Sequence, residues 1–125
     1  MTNLPKDLEM KDKMRIVQEL VPGKQITLAH IIANPDDILY YKLGLDPAEA
    51  HSGAIGILTL SPSETAIIAG DIALKASGVT LGFVDRFSGT VIVTGSVSQV
   101  EAALAAVTDY AIKKLGFDVC EMTRT

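Results

Sequence analysis

The chain predicts an α+β fold, with helices packed on a mixed sheet. Three observations carry the prediction. Residues 54–104 read as strand (54–60), helix (61–75), strand (79–84), tight turn (86–89), strand (90–94) and a second helix from Val97. Both helices open on cap-forming serines and carry apolar or small residues at helical spacing. Apolar residues make up 48% of the chain and aromatics only 5%, with no Trp, so the core is aliphatic and rich in alanine.

Taken in order, residues 1–14 hold six charges and no strand period, and read as a mobile tail. Arg15-Ile16-Val17-Gln18-Glu19-Leu20-Val21 leans to β, mixes apolar with polar residues, and stops at the turn signal Pro22-Gly23. Residues 24–33 form the next strand, with Ile26, Leu28, Ile31 and Ile32 apolar. A short helix then runs to about Leu43, with Asn34 as N-cap and Pro35 at its first position. Asp36 and Asp37 suit its positive end, Gly44 closes it, and 46–53 is a loop.

Ser61-Pro62-Ser63-Glu64 has the form of a capping box with Ser61 as cap. In the helix behind it, Ala66, Ala69, Gly70 and Ala73 make a small-residue stripe that allows close approach to a neighbour. Ser98-Gln99-Val100-Glu101 repeats the box, with Ser96 as the alternative cap. Val100, Ala103, Leu104, Val107, Ala111 and Leu115 then fall on one face as a core stripe. Gly116 ends this helix, and 118–125 is a last extended segment.

At 125 residues the chain is expected to be one domain, large enough to bury a core. Its net charge of −4, from 15 acids against 11 bases, disfavours a nucleic-acid partner, which would call for a basic face. No apolar run approaches a membrane span, and the charged start lacks the apolar stretch of a signal peptide, so a cytoplasmic location is expected. Cys120 is the only cysteine, which excludes an intrachain disulfide.

The chemistry-bearing residues are scattered. His30 and His51 are 21 residues apart with no cysteine pair near them, which fits no zinc motif. Cys120, in an apolar terminal strand, reads as a buried small hydrophobe. Gly53-Ala54-Ile55-Gly56 precedes a strand instead of linking strand to helix, so it is not a dinucleotide turn. Asp71 and Lys75 have the spacing of an i,i+4 ion pair, with Lys75 at a helix end where subunits could meet. Asp85-Arg86 is a solvated hairpin pair or lines a pore or interface. No cofactor, metal site or catalytic cluster is expected. The exposed 15–21 segment is an edge strand that invites pairing with copies of itself, and a closed ring leaves no free edge.

Several stretches resemble the circularly permuted single-domain shell proteins of bacterial microcompartments. They are Arg15-Ile16-Val17-Gln18-Glu19, Val21-Pro22-Gly23-Lys24-Gln25, Thr27-Leu28-Ala29-His30, Gly53-Ala54-Ile55-Gly56-Ile57, Gly70-Asp71-Ile72-Ala73-Leu74-Lys75-Ala76 and Gly82-Phe83-Val84-Asp85-Arg86-Phe87-Ser88-Gly89, with Met122-Thr123-Arg124 near the end. The resemblance is to the small subunits of ethanolamine-, propanediol- and choline-utilisation compartments, and runs from about Met14 onward.

The resemblance implies a permuted BMC domain, a ferredoxin-like α/β sandwich over 15–125, and a hexameric, non-enzymatic tile around an amine- or diol-degrading metabolosome. Residues 24–43 would be the end of an ordinary domain moved to the front, and Arg15 to Val21 an added strand. Six such strands would form a β-barrel over the central pore. It also implies that Asp85, Arg86, Phe87, Ser88 and Gly89 surround the six-fold axis. Lys75, with Asn34 and Pro35, would mark the hexamer edge, where relatives often carry Arg-Pro. Gly53 would be a position at which the hexamer can bend. Expected partners are further copies, other shell proteins and the enclosed enzymes. The competing reading is a small-molecule-binding regulatory α+β domain, which a dimer with saturable metabolite binding would favour.

Overall fold

The computed structural model describes residues 23–50 and 53–125, so the expectations for 1–14, for Arg15 to Val21 and for His51 lie outside it. Four main strands are β1 (Gln25–Ala33), β2 (Gly53–Ser61), β3 (Thr80–Asp85) and β4 (Thr90–Ser96), in the spatial order β3-β4-β2-β1. Each is antiparallel to its neighbour. Two short strands, β5 (Asp118–Val119) and β6 (Thr123–Arg124), run parallel to β1 along its outer edge. Helix α1 (Asp37–Lys42) follows β1, α2 (Thr65–Ala76) links β2 to β3, and α3 (Val97–Tyr110) follows β4 and continues through a π turn, Ala111–Leu115. The mixed α+β expectation holds.

The pleat decides which layer covers which face. Along β2, Ala54, Leu58 and Leu60 point to the α2–α3 side, while Ile55 and Ile57 point away and meet Tyr40, Leu45 and Ala50 of the α1 segment. The small stripe Ala66, Ala69, Gly70 and Ala73 is wholly buried, as are Val100, Ala103, Leu104 and Val107 of α3. Leu115 is only partly buried. Burying each larger aliphatic side chain of this core contributes about 1.5–3 kcal/mol.

Local details differ from expectation where a strand outruns the predicted cap. Ser61 does not cap α2, because β2 continues through it in pairing with Gln25. The helix starts at Thr65 with no side-chain cap, and its first turn is closed by Thr65 N–H to Pro62 O, Ala66 N–H to Ser63 O and Ile67 N–H to Glu64 O. At α3 the alternative cap prevails. β4 runs to Ser96, whose Oγ accepts from Gln99 N–H (3.2 Å) while Gln99 Oε1 accepts from Ser96 N–H (2.9 Å). The Ser98–Glu101 reading therefore fails.

At α1, Asp36 is the cap, accepting from Ile38 N–H at 3.0 Å, and Pro35 lies before it. Asn34 instead takes a left-handed φ of 51° and donates its N–H to Gly53 O, closing the end of the β1–β2 ladder. Gly44 ends α1 with φ 71°, as its type suggests. The 46–53 loop contains a 3-10 turn, Pro47–Glu49, capped by Asp46, and Gly53 already belongs to β2.

Candidate functional site: two ends of the sheet

The residues singled out by sequence collect at opposite ends of the sheet. At one end β3 and β4 are joined by the 85–89 turn. Asp85 accepts hydrogen bonds from Phe87 N–H (2.9 Å) and Ser88 Oγ (2.8 Å), so its carboxyl is held below the ordinary value of 3.8, chiefly by the Phe87 amide. It organises its own turn, and the nearby Arg86 charge adds a smaller lowering in the same direction. Arg86 stacks over the Phe87 ring, 4.9 Å from its centroid. Gly89 has φ 78°, and its carbonyl accepts from Leu60 N–H at 2.8 Å. An added Cβ would collide with Leu60 O, so both conformation and space demand glycine.

This rigid turn presents Phe87, 80% exposed, to solvent. With Ile67 at the start of α2 and Val84, Asp85 and Arg86 it lines an open groove of about 340 Å³. Exposed apolar groups clustered in this way mark an interaction surface. β1 begins at the same end, since Gln25 pairs with Ser61 and Leu60 binds Gly89. The chain therefore enters the sheet two strands away from the turn.

The other end carries the expected edge and bend residues. α2 runs away from the turn and delivers Lys75 to the far side. There Lys75 pairs with Asp71 at 2.8 Å, both well exposed, which raises the lysine above its ordinary value; Tyr110 contributes in the same direction. Asn34 and Pro35 follow the far end of β1, and Gly53 opens β2 beside them.

Gly53 is confined. A Cβ there would lie 2.6 Å from Glu49 O, 3.1 Å from Gly95 O and 3.2 Å from the Tyr40 hydroxyl. Close approach of three segments therefore leaves no room for a side chain at this position. Tyr40 is fully buried against this site, and burial pushes its hydroxyl above its ordinary value.

His30 does lie in a strand, with both ring nitrogens engaged by threonine hydroxyls. Cys120 lies between β5 and β6 instead of within a strand, half-buried against the core. Among the described residues, no three of the His, Cys, Asp and Glu side chains are placed to hold a metal ion. No helix among them is long and apolar enough to cross a membrane. Sequence reasoning missed the Ile67–Phe87 groove and the Tyr40–Gly53 contact. A phenylalanine inside a hairpin turn was the available signal for the first; the second had none.

Comparison with known proteins bears on this geometry. A model of the BMC domain matches residues 54–122. The bacterial microcompartment shell protein EutS of Escherichia coli (strain K12) is 54% identical over 114 residues, covering 91% of this chain and 99% of that relative. The shell protein PduU of Salmonella typhimurium is 55% identical over 111 residues, covering 89% and 93% respectively. A solved structure described as a CutR flat hexamer is 48% identical and superposes with a TM-score of 0.78, covering 84% of this chain and 94% of that one.

Proposed function

The chain belongs to the BMC-domain family of bacterial microcompartment shell proteins, and from that premise we propose that six copies close into a ring that tiles the shell. The placement of residues at two opposite ends carries this reading. A subunit with the 85–89 turn at its inner end and Lys75, Asn34 and Pro35 at its outer end has the polarity a ring needs. The exposed groove of Ile67, Val84 and Phe87 supplies apolar surface for a neighbour, and a CutR relative forms a flat hexamer. Such a role is structural and requires no catalytic group. Family membership also sets aside the ligand-sensing alternative.

The barrel over the pore is part of the same proposal. The chain enters β1 at the turn end, so a strand formed by Arg15 to Val21 would be well placed to gather around the axis. Circular permutation is supported by topology. β1 and α1 precede the matched region, yet β1 lies inside the sheet, bounded by β2 on one side and by β5 and β6 on the other. Relatives named for ethanolamine, propanediol and choline utilisation suggest an amine- or diol-degrading compartment in the cytoplasm, with other shell proteins and enclosed enzymes as partners. A bend at Gly53 would shift Glu49, Gly95 and Tyr40 together.

Light scattering over a range of concentrations tests the ring. A mass six times the 13.3 kDa chain is expected, and a monomer or dimer would refute it. Removing residues 1–21 should open the axis in a cryo-EM map of the ring. An axis still occluded would sink the barrel.

A further inference from the structure

On the premise of the six-copy ring, we propose that neighbouring copies meet flank to flank through two matched contacts. Ile112 of one copy fills the Ile67–Val84–Phe87 groove of the next, and Arg124 of the first reaches Asp71 of the second. Rotation about a ring axis keeps each residue's layer and its distance from the axis, and it brings two different surfaces together. Among the described residues the sheet offers two such surfaces, the β3 edge and the edge formed by β1 with β5 and β6. Groups that meet must therefore lie on opposite flanks, in one layer, and equally far from the 85–89 turn.

The first pair is apolar. On the β3 flank the groove opens between Ile67, near the start of α2, and Val84 and Phe87. Ile112, 55% exposed, stands in the π turn that follows α3. Successive residues there are roughly 90–100° apart, so Ile112 and Tyr110 point to nearly opposite sides. Tyr110 lies close enough to α2 for its charge to act on Lys75. Ile112 is therefore turned away from α2, toward the β1 flank. The π turn sits at the same end of the sheet as the 85–89 turn, since Phe117 N–H binds Ala111 O and Asp118 N–H binds Lys24 O just before β1.

The second pair is charged. Arg124 pairs with Ile31, and one register row then crosses the whole sheet, from Ile31 to Gly56, Val93 and Leu81. Gly70 of α2 lies over Leu81, and Asp71 follows it, one turn beyond Ile67. Ile31, Val93 and Leu81 pack into the core beneath the helices, so Arg124, beside Ile31, points to that same side. Asp71 and Arg124 thus stand at opposite ends of one row, on one face. Lys75 engages Asp71 through Oδ2 at 2.8 Å, so Oδ1 can accept from the guanidinium of the next copy.

Ile67, Asp71, Ile112 and Arg124 are all exposed, so substitutions there spare the fold. Ile67→Cys and Ile112→Cys are combined in a Cys120→Ser chain, treated with a short thiol-to-thiol crosslinker and mapped by peptide analysis. Interchain 67–112 links are expected, giving a ladder of up to six chains on a denaturing gel, with none from either single-cysteine chain. A six-copy mass by light scattering without 67–112 links, or with only 67–67 links, overturns the contact and spares the ring. A chain that forms no ring overturns both. Dilution of the ring reads the charged contact separately. Arg124→Asp and Asp71→Arg should each raise the concentration of half-dissociation about tenfold, and their combination should restore it to within about threefold. Single variants that dissociate like the wild type, or a combination worse than either, remove Arg124 and Asp71 from the interface.

Discussion

The same substitution, glycine to alanine, is expected to act with opposite sign at two buried positions. At Gly56, in β2 beneath α3, a Cβ would lie 2.6 Å from Val100 Cγ1, 2.8 Å from Leu104 Cδ1 and 3.1 Å from Val93 Cγ2. An ordinary contact needs about 3.4 Å or more, so α3 or the Val100 rotamer must move by most of an ångström. Valine in a helix has one strongly preferred rotamer, so its side chain yields poorly. Such overpacking costs about 1–3 kcal/mol, offset by roughly 0.5–1 kcal/mol because alanine loses less backbone freedom than glycine.

At Gly70, inside α2, the nearest atom is Leu81 Cδ1 at 3.6 Å, an unstrained contact. There the helix gains about 0.8–1 kcal/mol from better propensity with no clash. The two variants should therefore differ by roughly 2 kcal/mol in urea unfolding stability, Gly70→Ala above wild type and Gly56→Ala below it. Protein concentration is held constant, because assembly would otherwise shift the midpoints. If Gly56→Ala proves as stable as Gly70→Ala, the close approach of α3 to β2 is wrong.

Three further outcomes follow. Ser96→Ala removes the side chain that accepts from Gln99 N–H, and should lower stability by about 1 kcal/mol by the same urea assay, whereas Ser98→Ala should change little. Asp85 has a folded-state value below its unfolded one, so the order it brings to the turn is complete above the ordinary carboxylate range and is lost as pH falls through the lowered value. An NMR titration of the Phe87 amide should have its midpoint below 3.8; a midpoint at or above that value would contradict the hydrogen bonds to Asp85. Lys75→Asp should weaken sheets of tiles seen by electron microscopy while leaving the ring mass unchanged, and intact sheets would remove Lys75 from the edge.

Much of this protein was legible because local signals act over a few residues. The Ala66–Ala69–Gly70–Ala73 stripe, the Val100–Leu104–Val107 stripe, the left-handed glycines 44 and 116 and the Arg86–Gly89 turn each depend on spacing within one or two turns of chain. Caps were less legible, because Ser61 and Ser98 carry the right chemistry but the neighbouring strand decides where a helix begins. Ser61 is taken by its pairing with Gln25, and Ser96 wins only because β4 ends there.

What the sequence by itself determined, then, is the order of elements, the faces they bury and, through its quoted runs, the family. Tertiary structure alone decided which residues meet. Gly53 is confined by Glu49, Gly95 and Tyr40, Asp85 turns inward on its own loop, and His30 grips threonines 93 and 95 residues away. The reason is physical. Periodicity reports which side of an element seeks burial, but carries no information on which distant backbone will approach that side, or how closely.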